Sequence, residues 1–273
     1  LQRSLRLPFL CNIIFILFKN KNNHTTMKSL FQISVMKHNQ IWMALLAVTL
    51  LMGACKKEDN TPEEPVNDEE IAAIVEGALM ENTEGLAQEA SDAVYIADQY
   101  TTKTLGPCGQ TYDSTIVRSY NSAAISASYN ATLSWMVNCN NLMIPQSVDF
   151  TSTAQGQWET PRMSSDDNAN SAWNIGNLTT GSTYTLDGSY TRNGSQTSKV
   201  RNQNVFTSTL VITSDALNVD KTTRHIESGT ASFTLTGSGT GGNSFSHQGS
   251  LEFIGNGEVV ITVNGHTHTV DLY

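Results

Sequence analysis

Apolar residues recur every three or four positions between Asp68 and Ala97, and alternate with polar ones from about Tyr112 onward. Ile71, Ile74, Val75, Ala78 and Leu79 share one helix face, with Asp68 placed to cap its start. Leu86, Ala90, Ala93, Val94 and Ala97 form a second stripe, with Thr83 as its expected cap and Gly85 weakening the join. The texture changes at Leu105-Gly106-Pro107-Cys108. Beyond it, Phe206, Ser208, Leu210 and Ile212 fall on one strand face, as do Ala231, Phe233 and Leu235, then Val259, Ile261 and Val263, then Val270 and Leu272. Asn193-Gly194, Asn256-Gly257, Asn264-Gly265 and the glycine-rich stretch from Gly237 to Asn243 read as turns between them. The pattern predicts a mainly β fold: an antiparallel meander forming a sandwich or strongly curved sheet over 105–273, preceded by one or two short helices over 68–104. It has no βαβ rhythm and no heptads.

The chain before these elements has another character. Ile41–Ala54 is an apolar run too short for a comfortable membrane span, which takes about 20 residues, and it has the length of a signal-peptide core. The segment from Met36, with Leu51-Met52-Gly53-Ala54-Cys55 at its end, resembles a bacterial lipoprotein signal. That resemblance implies a signal peptide over 36–54, Cys55 as the acylated first residue of the exported chain, and attachment to the outer membrane through it. Each buried methylene contributes about 0.8 kcal/mol, so two or three acyl chains hold firmly. Gly53 stands where Ala, Ser or Thr is commoner. Residues 1–35 open on Leu1 and carry a second apolar run, Leu7–Phe18. They read as translated upstream sequence, with Met36, or else Met27, as the expected start. Lys56-Lys57-Glu58-Asp59 resembles the export tag of surface lipoproteins of Bacteroidota, which implies display at the cell surface, with the periplasmic face of the outer membrane as the alternative. Residues 55–67, with two prolines and many charges, read as an acidic, flexible tether.

Charge narrows the partners. The whole chain carries −9, with 16 Lys+Arg against 25 Asp+Glu; residues 1–54 hold six of the bases and none of the acids, so the remainder carries −15. Nucleic acid is excluded as a partner, since it needs a basic face, and anionic lipid is not attracted by charge. Of the four cysteines, Cys11 lies in the leader, Cys55 is the lipid site, and Cys108 and Cys139 are expected to pair in an exported protein. The chain-entropy model gives that loop roughly 3–4 kcal/mol. Trp135, near Cys139, is expected to pack on the disulfide.

Cys139-Asn140-Asn141, the stretch Pro145 to Phe150 and the stretch Tyr190 to Gly194 together resemble a group of uncharacterised Bacteroidota lipoproteins. The resemblance covers most of 105–273 and implies compartment and β content, with no activity, cofactor or catalytic residue to carry over.

Several residues invite chemistry. His266 and His268 sit two apart, on one side of a strand, where both imidazoles could reach a metal ion with help from His247, Glu252 or Glu258. Asp166, Asn168 and Asn170 have the opening spacing of a calcium loop, but Ser171 and Asn177 stand where such a loop has Gly and Glu. Asp113-Ser114-Thr115 resembles an O-glycosylation site of exported Bacteroidota proteins, with Ser114 as acceptor. The glycine run lacks the Lys-Ser/Thr of a phosphate loop, and no nucleophile elbow or zinc-protease motif is present. Trp158 and Trp173 flank the polar stretch 161–171, an arrangement that could hold a sugar by stacking and hydrogen bonding if the rings are exposed. The expected function is a lipid-anchored envelope protein with a non-catalytic β domain that contacts a glycan, matrix or envelope protein. A carrier of an apolar ligand inside the sheet comes second, a hydrolase third, and no cofactor is expected.

Overall fold

In the computed structural model, residues 66–102, 108–200, 204–239 and 242–273 are described. Cys55, the signal segment and the upstream residues lie outside them.

Helix α1 spans Asp68–Leu79. A short 3₁₀ turn, Glu81–Thr83, joins it to α2, Leu86–Thr102. The cap of α1 is Asn67 rather than Asp68: its side chain accepts from the Glu70 amide at 3.0 Å while Glu70 reaches back, a capping box that leaves Asp68 inside the first turn. Thr83 closes α1 instead of opening α2, its buried hydroxyl donating to the carbonyls of Gly77 at 2.7 Å and Met80 at 3.0 Å. Gly85 is required by proximity, since a Cβ there would lie 2.6 Å from the Met80 oxygen. The left-handed residue of the join is Glu84, at φ 54°.

Ten antiparallel strands follow in chain order as one open sheet: β1 Thr111–Asn121, β2 Ser126–Cys139, β3 Pro145–Glu159, β4 Met163–Gly176, β5 Thr183–Ser198, β6 Val205–Asp220, β7 Ile226–Gly239, β8 Ser244–Gly255, β9 Glu258–Val263 and β10 His266–Asp271. It is a meander in which each strand pairs with its chain neighbours, not a sandwich of two layers. The Asn256-Gly257 and Asn264-Gly265 turns form as the sequence predicts, with φ of 56° and 82°, and 51° and 83°. Asn193-Gly194 does not turn. It lies within β5, where Gly194 lets strands approach: a Cβ would meet the Asp167 Cβ at 2.4 Å.

One face of the sheet packs on the helices and the other faces solvent. Along β4 the burial alternates without a break from Met163 to Ile175. Phe150, Tyr184, Tyr190, Phe206, Leu210 and Ile212 are fully buried on the helix side. Beyond its acidic first turn, from Ile71 to Leu79, helix α1 is buried almost all round, as a stretch with Glu76 as its one charged residue must be. It touches β5, β9 and β10, while α2 touches β3 through β6. With strands about 4.8 Å apart, β5 and β10 would lie roughly 24 Å apart in a flat sheet, and a helix is about 10 Å wide. The sheet therefore bends around the helices. Cys108 and Cys139 form the expected disulfide, Cα–Cα 5.8 Å, tying the approach to β1 to the end of β2. Trp135 packs elsewhere than expected: it stacks on Tyr112, 6.0 Å between centroids, and its indole donates to the Tyr100 hydroxyl at 2.8 Å.

Candidate functional site

The residues that the sequence nominates are scattered. The 161–171 stretch is not a loop, because β4 begins at Met163. Asp166, Asn168 and Asn170 point outward along that strand. Their side chains are spaced by two residues each, about 6.7 Å per step, too far apart to converge on a cation held at about 2.4 Å. Trp158 and Trp173 are each 3 % exposed, on the helix side of β3 and β4, so neither offers a ring to a sugar. A large apolar ring at an inward strand position is drawn into the core by the area it removes from water. His266 and His268 share a face of edge strand β10, as their spacing requires. His266 Nε2 lies 3.6 Å from Asp68, and His268 Nε2 is buried without a hydrogen-bond partner among the described residues. Among those residues no three His, Cys, Asp or Glu gather to hold a metal. Ser114 is half-buried on β1, opposite Leu133. Among the described residues no helix is long and apolar enough to cross a membrane.

What the topology does assemble is a polar network under the sheet. Arg192, in the middle of β5, is buried and ion-paired to Asp167 of β4, with Nε 2.9 Å from Oδ2. Its two terminal nitrogens donate to the Gly77 carbonyl at 2.7 Å, the Thr83 carbonyl at 2.8 Å and the Tyr129 hydroxyl. Asp167 in turn accepts from Tyr129 at 2.9 Å, Trp158 at 3.0 Å and Ser165 at 2.7 Å. Gln196 and Ser208 extend the chain. Burying two charges costs several kcal/mol each, and close pairing with several further hydrogen bonds offsets it. Burial opposes the Arg192 charge, but Tyr190, Asp167 and Tyr129 outweigh it and hold the guanidinium above its usual range. The space beside this network is about 10 Å³, no more than one water. The network fastens the end of α1 to the sheet and has no room for substrate.

Two further carboxylate nodes tie α2 down. Glu89 is fully buried and accepts from the Ser152 and Ser171 hydroxyls; burial pushes its carboxyl up to about 7, against the downward pull of those two bonds. Glu84 and Asp92 both hold Arg118 of β1, the latter at 2.7 Å. Burial raises both carboxyls, and Arg118 pulls them back.

Space for a ligand lies at one end of the sheet. A groove of about 680 Å³ crosses the outward face over β1 to β5. Its floor is a register row, Ser119–Ser128–Gln157–Asp166–Ser195, with Asn121–Ser126–Glu159–Ser164–Thr197 beside it. Each row crosses four strand gaps, roughly 19 Å. None of the lining residues is Lys or Arg, and none of the described Lys or Arg takes an outward strand position. On the helix side, a cleft of about 430 Å³ opens between β1–β2 and the 3₁₀ turn, lined by Glu81, Asn82, Glu84, Gln88, Arg118 and Tyr120 among others. Sequence reasoning misses both. The polar i, i+2 pairs at Ser126, Gln157, Ser164 and Ser195 are visible in the chain, but only pairing register sets them side by side. No protein-family model, curated protein or solved structure matches the chain.

Proposed function

We propose that this chain is a lipid-anchored protein of the cell envelope, held through Cys55, whose β domain makes non-catalytic contact with a neutral glycan. The reading rests on the outward groove and its row from Ser119 to Ser195. Hydroxyl, amide and carboxylate groups from five neighbouring strands line it at the strand spacing, and no Lys or Arg is among the lining residues to draw an anion. A chain of hydroxylated rings laid across the strands would meet one hydrogen-bonding side chain per step. The rings of Trp158 and Trp173 are buried and build the core beneath. An apolar carrier would need the space on the helix side that α1 and α2 occupy, and no observation favours it.

Titration calorimetry of the full chain against a panel of neutral polysaccharides tests the contact. At least one polysaccharide should bind, and Gln157→Ala with Asp166→Ala should weaken it at least tenfold. Retained affinity in that double variant would remove the groove from the account. The anchor is tested separately: labelled palmitate should enter the exported chain and fail to enter Cys55→Ala.

A further inference from the structure

The first strand of the sheet ends in an open edge. Among the described residues β1 pairs only with β2, over eleven residues that contain no proline and no bulge. Its hydrogen-bonding parity follows from the hairpin. The Ser122 amide donates to the Ile125 carbonyl at 2.8 Å, and bonded and non-bonded pairs alternate along an antiparallel ladder. Ile116, Arg118 and Tyr120 therefore direct their backbone groups to β2, while Thr115, Val117 and Ser119 direct theirs away from the sheet. Such an edge is a template for another strand, and proteins ordinarily blunt it. Here Val117 is 78 % exposed and Tyr120 41 %.

The surroundings of this edge are acidic. On the helix side, Glu81 and Glu84 line the cleft that opens against Arg118 and Tyr120. Arg118, the one cation in that lining, is already engaged by Glu84 and Asp92. On the outward side, Asp113 projects from β1 itself and Asp166 lines the groove that begins at Ser119, while Glu159, also in that lining, is paired with Lys199. A strand laid along β1 would send alternate side chains to these two sides, the arrangement by which strand addition gains affinity from the backbone and selectivity from side-chain pockets.

We propose that the β1 edge, centred on Val117, binds an extended basic peptide segment by strand addition. A second copy of this chain is a poorer occupant, since it would bring the same acidic edge against itself. The proposal is independent of the glycan reading.

The test uses the full chain and two fluorescein-labelled probes, the peptide KVKVKVK and its acidic twin EVEVEVE. Anisotropy should show the basic peptide binding at least tenfold more tightly. Hydrogen exchange read by NMR should show the Thr115, Val117 and Ser119 amides slowing at least tenfold on its addition, with Ile116, Arg118 and Tyr120 unchanged. Val117→Pro removes an outward amide that an edge position can spare and should lower affinity at least tenfold. Should that variant fold poorly, Val117→Lys keeps the backbone and should weaken the basic peptide to the same degree. Glu81→Gln with Glu84→Gln should narrow the preference between the probes. Equal binding of the two peptides, protection without alternation, or indifference to both Val117 variants would overturn the proposal. So would slowing of the same amides with protein concentration alone, which would assign the edge to a second copy.

Discussion

Asp166 and Asp167 are adjacent in β4 and have opposite fates. Asp166 faces solvent in the outward groove; Asp167 is 1 % exposed and paired with Arg192. The same contrast runs through the whole sheet. Both faces carry polar residues, but Asp166 and its row line an open groove, while Asp167, Arg192, Ser152 and Ser171 on the helix side are bonded to one another or to the helices. Residue type alone therefore says little about role in this chain; strand parity decides it. The helix side holds the fold and the outward side is left for contact.

The contrast is broken most severely at Arg192. Arg192→Met removes the partner of a buried carboxylate, takes the guanidinium donor from the Thr83 carbonyl, and leaves the Gly77 carbonyl with the Thr83 hydroxyl. Loss of one member of a buried ion pair costs about 3–5 kcal/mol, and chemical denaturation should find a loss in that range. A loss below about 1 kcal/mol would mean that the network does not fasten α1 to the sheet.

Glu89 should give a pH signature of nearly the same size. Burial raises its carboxyl from an ordinary value of 4.5 to about 7, so the folded chain keeps the proton to higher pH than the unfolded chain does. Its contribution is fully present below about pH 4.5 and is lost as pH rises through about 7. The shift corresponds to about 3 kcal/mol at most. Glu76, Glu84 and Asp92, all raised by burial, slope in the same direction. Glu89→Gln should therefore flatten the profile between pH 4.5 and 7 and exceed the parent in stability at pH 8. Denaturation midpoints across pH 4–8 measure both. An unaltered slope would show that Glu89 ionises in the folded state as readily as in water.

How much of this was legible beforehand depends on the range of the interaction. Local signals held: the helix stripes, the alternation in β6, β7 and β9, and two of the Asn-Gly turns depend on neighbours in sequence. The Cys108–Cys139 pair held because the cysteine count left few options. Asn193-Gly194 misled because the same dipeptide serves a turn or a close strand contact, and only the facing Asp167 distinguishes them. Trp158 and Trp173 needed the parity of β3 and β4 to be assigned to the core. The groove row, the Arg192 network and the β1 edge exist only through register across strands, and hydrophobic periodicity within one strand carries no register.

A smaller change sharpens the comparison, because helix propensity and packing predict opposite signs. Gly77 lies inside α1, where Gly→Ala would ordinarily stabilise by about 1 kcal/mol. Here a Cβ would sit 2.2 Å from Cζ2 of the Trp158 ring. That ring cannot retreat without giving up its bond to Asp167 and, with it, part of the Arg192 network. Overpacking of this kind costs about 1–3 kcal/mol, enough to reverse the helix gain. Gly77→Ala should thus destabilise by roughly 0–2 kcal/mol net. Its outward counterpart Asp166→Asn, which touches nothing in the core, should stay within about 0.5 kcal/mol. Thermal denaturation of the two variants beside the parent decides the matter. A stabilised Gly77→Ala would mean that the indole of Trp158 does not rest on α1, and that the helix side is packed less tightly than its burial implies.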